Sequence, residues 1–488
     1  MKSSITLTIL LSISLVSCKK FLNNDPLDEL TSANFLKTEG EAVSAVNGVY
    51  NSLQSNGYYN TNILNLTSLN ADELTTGFYG SQNSSLVEID KNNYTSSNSN
   101  FADFFNASYQ LINRANDVIE KVPAIKATSS ASLLSRVVGE AKFLRALTYF
   151  NLTLAFGDVP LKTTPTKSLD EAYTIADKES VYRQIILDLE EASQVLPRDY
   201  TSTDAGRATK GAALGLLARV HLFRKEWEPA LRYLKAVIDT RLYELQPDFR
   251  NVFNPTTEFI NNKENPEVLF AVQFHCPQRG SEFTYYLGPL SNLTSILPKT
   301  SILPKGDTLV YSGNEIGKTE LMFYNAFPDT YRKKVTFVTS TNPRRPNPSP
   351  VKYIDRTQCA SNSTNSNFIV LRYSDILLMY AEAENELNGP TASAYEKLEE
   401  VRKRARGPVP TAKDSLNLPI YTPDNNFSQS EFREIIYNER GWELAYEGLR
   451  KWDLVRTGRY VDVLIKAGVT STTTQNIFYP IPQQALLR

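Results

Sequence analysis

Arg207 to Phe223 reads RATKGAALGLLARVHLF, and Pro229 to Thr240 reads PALRYLKAVIDT. In the first stretch Leu214, Leu217, Ala218 and His221 recur at steps of three and four; in the second Ala230, Leu234 and Val237 do the same. Such steps place side chains on one face of an α-helix. The spacing predicts two helices joined by a tight turn, with small Ala218 facing small Ala230 so that the helices approach closely. One pair of this kind cannot bury its apolar faces alone, so it stacks on further pairs.

These positions match the tetratricopeptide pattern of helix pairs. His221 takes a place usually held by tyrosine, which makes it an interhelical packer rather than a ligand. The same periodicity runs outward along the chain. A helix is expected near residues 38–53, where Glu39 and Glu41 favour the positive N-terminal end. Ile112, Ala115, Val118 and Ile119 mark a helix over 101–121, stopped by Pro123. Val138, Ala141, Leu144, Leu147, Phe150 and Leu154 give residues 132–156 a broad apolar face, after which Gly157 suits a left-handed cap and Pro160 prevents continuation. Further helices are expected over 180–196, 374–388, 392–405 and 430–456, the last broken near Gly448. The fold class is therefore mostly α: about four tetratricopeptide-like helix pairs as a scaffold, with a loop-rich insertion containing short strands.

That insertion is residues 241–370, where Pro, Asn, Gly, Ser and Thr rise and helical periodicity fades. Residues 268–274, 333–338 and 368–371 read as strands. The four prolines between Pro343 and Pro350 require an extended loop. Residues 56–100 read as irregular, with loose aromatics at Tyr58, Tyr59, Phe78, Tyr79 and Tyr94; a loop of this length is functional or disordered.

The chain has 488 residues, 41% hydrophobic and 22% charged, the composition of a globular protein. Its 52 basic and 53 acidic residues leave a net charge of −1, which argues against a nucleic-acid partner. Beyond Cys18 there are two cysteines, Cys276 and Cys359; export would allow them to pair, but two isolated cysteines make no disulfide framework. His221 and His275 have no metal-ligand spacing, and no catalytic triad can be assembled.

At the front, Lys2 precedes an apolar run from Ile5 to Val16. It is shorter than the roughly 17–25 residues a membrane-spanning helix needs, and it ends in Ser17-Cys18. This is a secretory leader whose closing cysteine reads as a lipoprotein signal. Residues 1–17 would be removed and Cys18 would carry the lipid, several acyl chains holding far better than one.

Four segments then carry a resemblance. They are Phe143 to Leu152 with Gly157-Asp-Val-Pro160, Leu371 to Glu384, Glu439 to Leu454, and Tyr479-Pro-Ile-Pro482. Their order and spacing, together with the lipoprotein start, resemble the SusD/RagB family of outer-membrane nutrient-binding lipoproteins from Bacteroidetes, over essentially all of residues 18–488. The resemblance implies an N-terminal helical part (18–240, with a ligand loop at about 56–105), a variable insertion (241–370) and a C-terminal helical part (371–488). It implies no enzyme activity and no cofactor. It further implies an oligosaccharide ligand, attachment to outer-membrane lipid, surface exposure, and delivery to a SusC-type TonB-dependent transporter over which the protein closes as a lid. A peptide ligand, a surface glycoside hydrolase and a structural lid with little affinity of its own are the alternatives.

The matched motifs read as architecture. Glu439, Arg440, Glu443, Glu447, Arg450, Asp453 and Arg456 interleave charges at helical spacing. Arg440 and Arg450 are the available partners for Glu443 and Glu447, and Arg372 for Glu382 and Glu386; a calcium site at the latter pair is the lesser reading. Sugar binding needs a flat apolar face flanked by amides or carboxylates. Two regions offer it, the same two that build the pocket in relatives. One is Asp72, Phe78, Tyr79 and Gln82, followed by Asn100, Phe101, Phe104 and Phe105, of which Phe105 reads as core. The other is Gln278, Arg279, Phe283, Tyr285 and Tyr286; in an extended chain the two tyrosines point to opposite sides, so one alone faces a ligand. For a hydrolase, adjacent Asp72-Glu73 is the tempting carboxylate pair, at poor geometry.

Overall fold

Thr38 opens the helix Glu39–Leu53. Its hydroxyl accepts from the Glu41 N–H, and the Glu41 carboxylate accepts from the Thr38 N–H, a reciprocal cap that satisfies two donors the helix cannot. In this computed structural model residues 36–126, 131–168, 174–200, 204–253, 265–288, 313–339, 347–353 and 363–486 are described. The leader, Cys18 and Cys359 lie outside them. So do residues 343–346, half of the proline-rich loop.

Eight helices form four successive pairs: α1 (Glu39–Leu53) with α2 (Ser99–Lys121), α3 (Ala131–Phe156) with α4 (Lys178–Val195), α5 (Lys210–Phe223) with α6 (Trp227–Ile238), and α7 (Tyr373–Asn388) with α8 (Ala392–Ala405). Each pair packs on the next, α2 on α3, α4 on α5 and α6 on α7. A ninth helix, α9 (Gln429–Glu443), covers α7, and α10 (Arg450–Arg456) follows the left-handed Gly448. Ala218 and Ala230 are completely buried, as close helix approach requires. His221 stacks on Tyr233 with 5.5 Å between ring centres, and its Nδ1 shares a 2.6 Å hydrogen bond with the Glu226 carboxylate. It packs between helices.

The insertion departs from the helical pattern. β2 (Val268–Val272) pairs antiparallel with β4 (Phe368–Arg372), and β1 (Leu74–Thr76) with β3 (Gly317–Thr319). Residues 333–338, expected as a strand, are instead the end of a helix, Tyr331–Thr336, followed by the short strand Phe337–Val338. Cys276 is disulfide-bonded.

Residues 56–100 are not loose. Asn56–Asn60 and Asn65–Leu69 wind as π-helical turns, and Tyr58, Tyr59, Leu64, Leu66 and Leu69 are buried. The tract's asparagines saturate a crowded, irregular backbone. Asn62 donates to the carbonyls of Gly57 and Asn100, and Asn70 to that of Ile89. Buried polar groups are tolerated when paired in this way.

The C-terminal charges are architecture, with partners other than those expected. Glu443 is held by Arg332 (2.8 Å), Arg372 (2.5 Å) and Arg404, and Glu447 by Arg372 (2.7 Å) and Lys352 (2.6 Å). Arg372 therefore serves Glu443 and Glu447, not Glu382 and Glu386. Those two are taken by Arg456 and Arg433, so a cation already sits on each. Arg440 pairs with Asp375 and Asp453 instead, and Arg450 reaches back to Asp72. The tertiary fold brings β4, the insertion, α8 and the end of α9 around Glu443 and Glu447, and helical spacing carries no information about partners that far apart in sequence.

Candidate functional site

The site is built from the strand pair β1–β3. In register, Leu74 faces Thr319, Thr75 faces Lys318 and Thr76 faces Gly317. Beyond Thr76 the chain turns sharply. The Gly77 N–H donates to the Ile316 carbonyl at 2.7 Å. A Cβ on Gly77 would lie 1.9 Å from the Glu315 carbonyl oxygen, and one on Gly80 would lie 2.1 Å from that of Ile316. Only glycine allows so close an approach of two backbones. The two residues between these glycines, Phe78 and Tyr79, are pushed outward. They remain 47% and 45% exposed, with ring centres 5.0 Å apart and planes at 89°. Asp90 braces the base of the turn, its Oδ2 accepting from both Thr75 and Thr76. Gln82 is exposed beside the rings.

The opposite edge of the same layer carries the insertion. Asn314 N–H donates to the Tyr285 carbonyl, Ile316 N–H to that of Tyr286, and Glu315 N–H to that of Gly288. Residues 314–316 thus join the Phe78–Tyr79 turn to the short helix Phe283–Leu287. Tyr285 is half-buried, and its hydroxyl accepts from the Asn314 amide. Next to it, Glu282 N–H donates to Asn60 and the Glu282 carboxylate accepts from Asn56 at 3.3 Å. The two regions expected to build a pocket do meet, through a linking segment the sequence reading did not single out.

Several expected ligand residues turn inward. Phe101 and Phe104 are 0% exposed and Phe283 likewise, while Tyr286 is 3% exposed with its hydroxyl bonded to Asn65. None of these rings offers a face to a ligand. Phe101 and Phe104 lie on the core stripe of α2, together with Phe105. Phe283 and Tyr286 sit one turn apart on a helix, so the alternation expected of an extended chain does not apply. Burial pushes the Tyr286 hydroxyl well above its ordinary pKa. Asp72 is buried in a two-bond pair with Arg450, at 2.7 Å each. Asn100 is spent on Asn65 and Asn98. Gln278 and Arg279 are exposed at the tip of a turn closed by His275 and Arg279 backbone bonds of 2.7 and 2.9 Å.

Glu73, the other carboxylate of the tempting pair, is 1% exposed and accepts from the Tyr446 N–H at 3.0 Å. Burial pushes its carboxyl up to about 7. Neither Asp72 nor Glu73 faces a cleft, so the pair is unsuited to acid–base attack on a glycosidic bond. Among the described residues no group of three or more His, Cys, Asp or Glu is arranged to hold a metal ion.

What the residues missed by sequence have in common is a bond between segments far apart in the chain or across a turn of the insertion. Asn314, Glu282 and Asn56 become visible only once residues 56–60, 282–288 and 314–316 are in one layer. The asparagine density of residues 56–70 was the available signal.

Two family models match the chain from opposite ends. One, described as "Starch-binding associating with outer membrane", matches residues 20–222; the other, described as the SusD family, matches residues 307–488. The chain belongs to the SusD/RagB family. SusD-like protein P25 of Formosa agariphila is 28% identical, the match covering 99% of this chain and 96% of that one. A SusD homolog from Bacteroides thetaiotaomicron, 24% identical, superposes with a TM-score of 0.74 over 93% of this chain and 96% of its own. A laminarin-binding SusD-like protein superposes equally well, at 26% identity, with 92% of this chain and 97% of that one covered. Family membership accounts for the scaffold of four helix pairs and associates the chain with the outer membrane. Among the described residues no helix is long and apolar enough to cross a membrane.

Proposed function

We propose that this SusD/RagB protein binds oligosaccharides on the surface formed by Phe78, Tyr79 and Tyr285, and releases them chemically unchanged. The observation that carries the reading is the right-angled pair of exposed rings, held out by a glycine turn that leaves the rest of the layer packed. Exposed aromatic rings cost solubility unless something covers them. A pyranose ring's C–H face covers such a ring well, and Gln82, Asn56 and Glu282 lie in the same layer to meet hydroxyls. The starch-binding description of the matching family and the laminarin-binding relative support a glycan over a peptide. Lipid attachment at Cys18 would hold the protein on the outer membrane, and a SusC-type TonB-dependent transporter is the receiver that family membership suggests.

The test is calorimetry of the purified chain against a panel containing laminarin, starch and peptide oligomers. Heat with one glycan class, its affinity weakened severalfold by Phe78→Ala or Tyr79→Ala, is the expected result. No heat with any glycan, or sustained release of new reducing ends, overturns it. Isolation of the lipid-anchored protein in mild detergent is expected to bring a transporter with it.

A further inference from the structure

The strand pair β1–β3 beneath the exposed rings is three residues long and two strands wide. A ribbon of that size is marginal by itself, and its outer edge needs partners for the groups it leaves unpaired. One side chain supplies them. Asp90 ends the helix Ser84–Asp90 and is 3% exposed. Its Oδ2 accepts from the Thr75 hydroxyl at 2.9 Å, the Thr76 hydroxyl at 3.0 Å and the Thr76 N–H at 3.3 Å. Neighbouring side chains of a strand point to opposite faces, so two adjacent hydroxyls reach one oxygen only when that oxygen sits at the strand's edge. The nearby cation, Lys91 at 3.1 Å, is more than half exposed and screened by water. The threonines are the buried side of the contact.

Asp90 is itself held from the C-terminal part of the chain. Asn70 is completely buried and donates to the Ile89 carbonyl at 2.6 Å and to the Asn92 side chain at 2.8 Å, clamping residues on either side of Asp90. The Asn70 oxygen accepts from the Lys451 amine and the Tyr460 hydroxyl, at 2.7 Å each, and from the Tyr479 hydroxyl at 3.0 Å. Asn92 donates to the Thr472 hydroxyl at 2.8 Å. A continuous buried network of this kind fixes geometry, and here it runs from the C-terminal helices to the foot of the Phe78–Tyr79 turn.

We infer that Asp90 is a positioning residue of the glycan site. It closes the edge of β1 and, through Thr75 and Thr76, fixes where the Gly77–Gly80 turn leaves the layer and so the angle at which both rings stand. It touches no ligand. A platform set before the sugar arrives loses less affinity to ordering. The inference rests on the glycan reading of the Phe78–Tyr79 surface.

Two double variants of the full chain test it. Thr75→Val, Thr76→Val removes both hydroxyls at nearly constant shape; Thr75→Ser, Thr76→Ser keeps them. Amide hydrogen exchange over residues 77–83 is read beside calorimetry with laminarin and starch. The valine pair is expected to speed exchange of the Gly77, Ser81 and Gln82 N–H groups, all hydrogen-bonded in the turn, at least tenfold and to weaken glycan affinity at least fivefold. The serine pair stays within threefold of the parent in both. Exchange in α2 and α3 stays unchanged in either pair, which a general loss of stability would not allow. Turn exchange equal to the parent's in the valine pair, or undiminished affinity, overturns the inference. A parent chain that binds neither glycan, with turn exchange responding as expected, supports the brace and refutes the glycan reading instead.

Discussion

Phe78-Tyr79 and Phe104-Phe105 are two pairs of adjacent aromatics in one stretch of chain, and the fold treats them oppositely. The second pair lies on α2, where Phe101, Phe104, Phe105 and Ile112 share a stripe that the helix turns toward α1 and α3; these rings are 2% exposed or less. The first pair lies between two glycines whose backbones press on residues 315–316, so neither ring has a route inward. Aromatic content alone does not separate binding surface from core. The backbone beneath the rings separates them.

The comparison can be broken first on the core side. Phe104→Ala should cost about 3–5 kcal/mol of stability, as deletion of a buried ring does, and urea unfolding reads it. A loss below about 1 kcal/mol would mean that this ring is not core. Arg372→Ala should cost a similar amount, about 3–5 kcal/mol, because Glu443 and Glu447 keep their buried charge after losing a partner.

A smaller effect lies between the two regions, at Glu73. Its folded pKa, near 7, is above the ordinary carboxylate value, so the folded state binds the proton more tightly than the unfolded chain. The stabilisation is fully present below about pH 4.5 and is lost as pH rises through 7. Glu73→Gln removes this slope: relative to the parent, the variant should gain about 2–3 kcal/mol between pH 4.5 and pH 8, the cost of ionising a buried carboxyl over that interval. Denaturant midpoints measured across the interval check it; parallel curves for the two proteins would refute it.

The smallest stability effect is expected at the turn. Tyr79→Ala should change stability by under about 0.5 kcal/mol, as surface substitutions usually do. It should weaken glycan binding by about 1 kcal/mol, near fivefold, the scale of one aromatic contact. The outcome that sharpens the comparison is this reversal: affinity without stability at Tyr79, stability without a ligand contact at Phe104.

Much of the scaffold was legible in the residues. Helix α8 has the expected bounds, and α3, α4, α5, α6 and α7 lie within three residues of theirs, because a three-four periodicity with Gly, Pro and Thr at the ends is a local property. The candidate site was legible only in part. Phe78, Tyr79, Gln82 and Arg279 are exposed as a ligand residue must be, and Tyr285 is half-buried. Phe101, Phe104, Phe283, Tyr286 and Asp72 went into packing, hydrogen bonding or an ion pair.

The sequence by itself determined the long helices of the scaffold, that those helices come in pairs, and that the C-terminal charges are structural. Tertiary structure alone decided which carboxylate meets which cation, and which rings reach water. Those outcomes depend on contacts such as Asp72 with Arg450 and Gly77 with Glu315, hundreds of residues apart. Local periodicity reports the face a side chain takes on its own helix. It does not report what the rest of the chain places against that face.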